Sequence, residues 1–452
     1  MGQGMIQKLV EVLMNIARSL GVECACADVE RIAVMVHRIM SYQSRQFHTL
    51  EHVFGFQEGA DAITMLAAIF HDVIYRQVDG GLPPETEAML APFLVEEGGR
   101  TRLSFEAGKN DRAFELCRSV FGIEDERKDY PPGGLNEFLS ALTMAKIVQG
   151  LLPEKVEIAV IVCIEASIPF RGPDAAGRSV GEALEARLAA ARAAGIMDVT
   201  EEEARGMVVR AMAFANVDVQ DFADDDPAHF LSNTWKLLPE SNAPLRNPGA
   251  FSIKEYRIAL QKMLGFFRFL KPGNIYHSFR GVPDAAAMRT LETKASVNLL
   301  LAENYLKAKI LAIGLLEAIS SVTGGDVPVA LFMGDIPSDG NDPESLADFL
   351  EIPAPPKAAG VDNLYLLLKD GRLGESSFDL RNSPLALYLY MRFLPEKWER
   401  LTKEAEAYFS DGLDGEEFLE RFGGAVLAEV FTACSKMVPT RSKLFRERIA
   451  KL

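Results

Sequence analysis

An all-α fold follows from three features of the 452-residue sequence. Apolar residues recur at three- and four-residue spacing over most of the chain, the period of a helix with one buried face. Strand-like alternation is nearly absent. Glycine and proline cluster at 78–84, 131–134, 169–177, 239–249 and 271–283, between the periodic stretches, where inter-helix loops belong.

At the start of the chain Ile6, Leu9, Val10, Leu13, Ile16 and Ala17 share one helical face, so the segment reads as an amphipathic helix and not as a signal peptide. The same period predicts helices over 5–20, 27–41, 61–76, 109–121, 134–149, 153–167, 179–193, 200–222, 252–270, 284–320, 396–409 and 415–434. Two short apolar runs, Val327 to Met333 and Tyr365 to Leu368, predict a minor hairpin. The strongest break in composition lies between Gly324 and Gly360, so residues 326–360 are expected to form a linker. It would separate 1–235 and a helical extension at 236–325 from a small, mainly helical unit at 361–452.

The formal net charge of -16 argues against nucleic acid as a general partner, because its phosphates would meet a repulsive field. A small anionic substrate would need a local positive site. No run of about 18 apolar residues occurs, so no membrane span is expected. Cys24, Cys26, Cys117, Cys163 and Cys434 are odd in number and irregularly spaced, which suits reduced thiols in a cytoplasmic protein.

Only six histidines occur, yet His48, His52 and His71 lie close together in the chain. In Phe47-His48-Thr49-Leu50-Glu51-His52 the two histidines stand four apart, so on a helix they address one site or form a chance pair on a solvated face. In Ala67-Ala68-Ile69-Phe70-His71-Asp72-Val73-Ile74 a histidine and an aspartate interrupt an apolar stretch. Burying that carboxylate costs several kcal/mol unless something positive meets it. A metal ion does so, and so does a hydrogen-bonded His-Asp pair. A third apolar helix carries Asp218 and, one turn later, Asp221; Asp218 is the better ligand candidate.

The order His-x-x-x-His, then His-Asp, then a distant Asp on a helix resembles the HD superfamily of metal-dependent phosphohydrolases, most closely its uncharacterised predicted members. The first motif is also similar to that of cyclic-nucleotide phosphodiesterases. The resemblance covers residues 40–222. It implies a multi-helical HD-type catalytic domain at 1–235, with additional helices after it. It also implies that His52, His71, Asp72 and Asp218 hold a divalent metal ion (manganese, iron, zinc, magnesium or cobalt), while His48 matches the histidine that protonates the leaving oxygen. Arg45 would suit a phosphate clamp or an ordinary surface position.

For a second metal the candidate is Glu165, inside an apolar run, with Glu85 and Glu87 behind it. Related sequences often carry a histidine after the helix corresponding to 156–167, whereas this chain reads Ser167-Ile168-Pro169-Phe170-Arg171, leaving Arg171 as an anion contact. His277 and Arg280, in a loop with Tyr276 and Ser278, would suit a substrate wall or an ordinary polar loop. The resulting expectation is a hydrolase of a phosphoester in a small, nucleotide-like anion. Its rivals are a di-iron oxygenase on the same scaffold and a regulatory module that binds metal or nucleotide without turnover.

Overall fold

The computed structural model describes residues 4–56, 59–98, 100–124, 134–336, 343–353, 362–374 and 376–452. It is 67% helical with 3% strand, so the fold is all-α. Among the described residues the single sheet is the two-stranded antiparallel hairpin Leu94–Glu97 with Arg100–Leu103. The hairpin expected from Val327 to Met333 and Tyr365 to Leu368 does not form. Ala330–Met333 and Asn363–Lys369 are helical, and Asp362 caps the latter by accepting from the Tyr365 N–H. An apolar run that short carries no period able to distinguish strand from helix.

The chain forms two compact units: residues 1–223 with 270–294, and residues 224–269 with 295–452. This division differs from the expected one. The segment 270–294 belongs to the first unit, and 295–325 shares the second with the C-terminal residues. Of the expected linker, 337–342 and 354–360 lie outside the described residues; the rest belongs to the second unit.

The first unit is built from α1 (Met5–Ser19), α2 (Cys26–Met40), α3 (Leu50–Gly55), α4 (Ala62–Phe70), α5 (Arg112–Phe121), α6 (Leu135–Val148), α7 (Glu154–Ala166), α8 (Val180–Ala193) and α9 (Glu201–Asp218). At its centre lies α7. Ile158 to Ala166 are buried without interruption, and the helix packs against α4, α5, α6 and α9. A helix apolar all round must be covered on every side. Local signals set the helix starts: Asp61 caps α4, and Ser179 with Glu182 and Thr200 with Glu203 form capping boxes on α8 and α9.

The second unit contains α10 (Pro227–Trp235), α11 (Ile253–Phe269), residues 295–322 of α12 (Ala285–Val322), α13 (Asn363–Lys369), α14 (Pro384–Arg392), α15 (Pro395–Phe409) and further C-terminal helices. Its interior is not wholly apolar. Lys309 from α12, Arg372 and Asp379 from the α13–α14 connection, and Trp235 from α10 meet there, which ties the C-terminal residues to the middle of the chain.

Candidate metal centre

The expected helix 61–76 stops at Phe70, so His71 and Asp72 sit in the turn at the C-terminal end of α4 and not within a helix. Buried carbonyls in the turn beyond the helix need donors. Here Arg45, from the loop between α2 and α3, supplies the donors. Its Nη1 donates to Asp72 O at 2.7 Å and His48 O at 3.3 Å, and its Nη2 to Val73 O at 3.2 Å. Its Nε and Nη2 also form a two-pronged pair with Asp79, both at 2.7 Å, with both side chains wholly buried. The Tyr75 N–H donates to the same carboxylate at 3.2 Å. Arg45 is therefore not a surface group or a phosphate clamp, because its guanidinium is spent on holding the His48 loop and the His71-Asp72 turn together.

His48 corrects a second expectation. It lies in bends before α3, with Thr49 at the N-cap, so His48 and His52 do not share a helical face. Their rings still come within 6.5 Å of one another, and the His48 ring meets Tyr75 edge-on at 4.6 Å.

Three segments bring the ligand atoms together. A nitrogen of His52 on α3, one of His71 at the end of α4 and a carboxylate oxygen of Asp218 at the end of α9 all lie within 4.8 Å of one another. His52 Nε2 is 3.1 Å and His71 Nε2 3.4 Å from Asp218 Oδ1, and His71 Nε2 is 2.8 Å from Asp72 Oδ2. Asp218, and not Asp221 in the turn beyond it, is thus the acid that meets both histidines.

His71 tests the fit to a cation. Its Nδ1 donates to Ala68 O at 2.9 Å, so in the neutral ring Nε2 carries the lone pair. That buried Nε2 has no hydrogen bond of ordinary geometry, although two carboxylate oxygens face it. Lone pair against lone pair is repulsive unless a proton or a metal ion lies between. Ligands about 2.0–2.2 Å from a common ion stand roughly 3–3.5 Å apart, as Asp218 does from both histidines, and imidazoles with carboxylates suit zinc, iron, manganese or cobalt. Without a metal, burial opposes charge on His71, but Asp72 and Asp218 outweigh it and raise its pKa well above the ordinary range. Burial likewise opposes ionisation of both aspartates, and His71 outweighs it and holds both low. Phe56 and Phe214, each about one ring width from His71 at 5.6 and 5.7 Å, form a dry wall that strengthens these interactions.

The remaining candidates lie in the same unit with other partners. Glu165 is buried and held by Arg171 Nη1 at 2.6 Å and Arg187 Nη2 at 2.7 Å. Burial pushes its pKa up, and the two arginines reverse this and hold it low. A second cation there would have to displace two guanidinium groups. Glu85 and Glu87 are exposed, and Glu85 faces Arg38 at 3.8 Å. Arg171 is committed to Glu165 and to the Ile168 carbonyl. Arg280 pairs with Glu185 at 2.8 Å. The backbone of His277 is clasped by the Asn216 side chain, at 2.7 and 2.8 Å, two residues before Asp218. Burial, with a smaller push from Arg171, lowers the His277 pKa to about 4, so this imidazole stays neutral.

Two acids were not legible in the sequence. Asp79 sits in a glycine-rich segment with no spacing that relates it to Arg45, and Glu137 stands in the first turn of α6, where an acid is ordinary. Glu137 Oε2 is buried without a hydrogen-bond partner. Burial and the Asp72 charge push its pKa up to about 8, against its own backbone hydrogen bond, Arg171 and His71, so it carries a proton at neutral pH. Comparison with protein-family models, with curated proteins and with solved structures finds no match to this chain.

Proposed function

We propose that this chain is a metal-dependent hydrolase that cleaves a phosphoester in a small anionic substrate, with His52, His71, Asp72 and Asp218 holding one divalent ion. The observation that carries the reading is the convergence of His52, His71 and Asp218 from three separated segments, with Asp72 2.8 Å from a buried His71 nitrogen that has no hydrogen bond of ordinary geometry. A divalent cation would supply Lewis-acid activation of water and offset phosphoryl charge. His48, beside Tyr75 and next to the ligand cluster, would protonate the leaving oxygen. Arg45 and Asp79 would fix the distance between that proton donor and Asp72 through the backbone carbonyls of both. The commitment of Glu165 to two arginines favours one metal over two, and with it hydrolysis over di-iron oxygen chemistry.

The test is to strip the protein with a chelator, reload it without oxygen using manganese, magnesium or zinc, and assay a panel of phosphomonoesters, phosphodiesters and nucleotides. Turnover of at least one ester with a redox-inert ion supports the proposal. Silence across the panel, with oxygen uptake in the iron-loaded protein, overturns it.

A further inference from the structure

The second unit holds a separate cavity of about 260 Å³, lined by residues of α11, α12, the start of α14 and the segments around 248–251, 329–336 and 378–386. Its walls are mostly apolar, with Phe251, Ile313, Val329, Met333, Phe378 and Leu385 among them. Lys309, Asp379, Tyr256 and Ser383 interrupt that lining, and the Ser383 hydroxyl bonds Tyr305 Oη at 3.2 Å.

Among the described residues the buried charges there do not balance. Lys309 Nζ at 3.1 Å and Arg372 Nη2 at 3.2 Å both bond Asp379 Oδ2, which also accepts from Trp235 Nε1 at 3.1 Å. Lys309, Arg372 and Asp379 are all buried or nearly so. Among the described residues two buried cations thus share one buried carboxylate, leaving a net positive charge in an apolar setting, which is costly without a counter-charge. The Lys309 ammonium also lies 5.3 Å from the Trp235 ring centre and 5.7 Å from that of Tyr256. Such contacts offset part of the cost and cancel no charge.

Donors are in surplus too. Arg372 is consumed by Asp379, Tyr305 Oη and the Leu380 carbonyl. Lys309, with three N–H donors, makes one hydrogen bond. Tyr256 is buried, and its hydroxyl approaches Asp379 without a hydrogen bond of ordinary geometry. An anionic head group placed against Lys309 and Tyr256 would meet the surplus charge and the surplus donors together. One negative charge balances the cluster. A second would be repelled by Asp335, an exposed carboxylate on the same lining.

We infer that this cavity binds a monoanionic carboxylate with an apolar body, its carboxylate held by Lys309 and Tyr256. The inference is independent of the metal centre. Neither site contributes a residue to the other.

The full chain, kept in excess chelator so that no bound metal captures the acid, is titrated by calorimetry with octanoate, 1-octanol and octylamine. Octanoate should bind at one site per chain and quench tryptophan fluorescence, with 1-octanol at least about tenfold weaker and octylamine silent, because only the carboxylate brings the negative charge that the cluster around Lys309 lacks. Tyr256→Phe removes a hydroxyl that has no partner of good geometry, so the protein should fold normally while octanoate binds about tenfold more weakly. Lys309→Met should abolish binding; if that variant fails to fold, Tyr256→Phe carries the test. Failure of octanoate to bind the wild type, equal affinity for octanoate and 1-octanol, or unchanged octanoate affinity in Tyr256→Phe would each overturn the inference.

Discussion

Replacing Arg45 separates its two readings, as a clamp on substrate phosphate or as a buried brace. In Arg45→Met the Asp79 carboxylate keeps only the Tyr75 N–H, and the carbonyls of His48, Asp72 and Val73 each lose a charge-assisted bond. Breaking one side of a buried ion pair costs about 3–5 kcal/mol, and each unsatisfied carbonyl adds roughly 1 kcal/mol, less whatever relaxation recovers. Together these give about 6–8 kcal/mol before relaxation, a large share of the 5–15 kcal/mol typical of a whole domain. Arg45→Lys should fall between, since one ammonium keeps the charge but cannot span two carboxylate oxygens and three carbonyls. Arg45→Met with Asp79→Leu should recover part of the loss, because no buried charge is then orphaned.

Urea unfolding of these proteins and of Asp79→Leu completes the double-mutant cycle and measures the coupling, and elemental analysis of the same samples reports whether the His71-Asp72 turn still binds metal. The brace reading requires strong coupling and reduced metal content in Arg45→Met. Wild-type stability and metal content, with only a raised KM for a phosphoester, would refute it and restore the clamp.

His71→Ala or Asp72→Ala should release most bound metal, and full occupancy in both variants by elemental analysis would remove them from the ligand set. His48→Ala should keep its metal while turnover falls about 10²–10⁴-fold, the usual contribution of a positioned proton donor; loss of metal in step with activity would make His48 a ligand instead. For Glu137 the sign is fixed by a folded pKa of about 8 against an ordinary value of 4.5: between these the native state holds a proton that the unfolded chain has released. Its contribution to stability is therefore full below about pH 4.5 and is lost as pH rises through 8. Chelated wild type should lose ground to Glu137→Gln between pH 5 and pH 8 in urea midpoints, and parallel curves would show that the carboxyl is not buried in protonated form.

The helical class was determined by the sequence because helical periodicity is a local property: α1, α2 and α5 each carry an apolar stripe, and the caps at Asp61, Ser179 and Thr200 lie within a turn of the groups they satisfy. Much of the candidate site was equally legible. Histidine is rare in this chain, so a cluster of three stood out, and the acid at Asp218 was conspicuous in an apolar helix. What the sequence did not determine depends on partners distant along the chain. The pairing of Arg45 with Asp79, of Glu165 with Arg171 and Arg187, and of Lys309 and Arg372 with Asp379 has no spacing to betray it, because a buried charge is matched through space. Those pairings decided which arginines hold structure, why Glu165 is already neutralised, and why residues 361–452 share a unit with α11 and α12. Periodicity records which face of a helix is buried, and only the packed chain decides what meets it there.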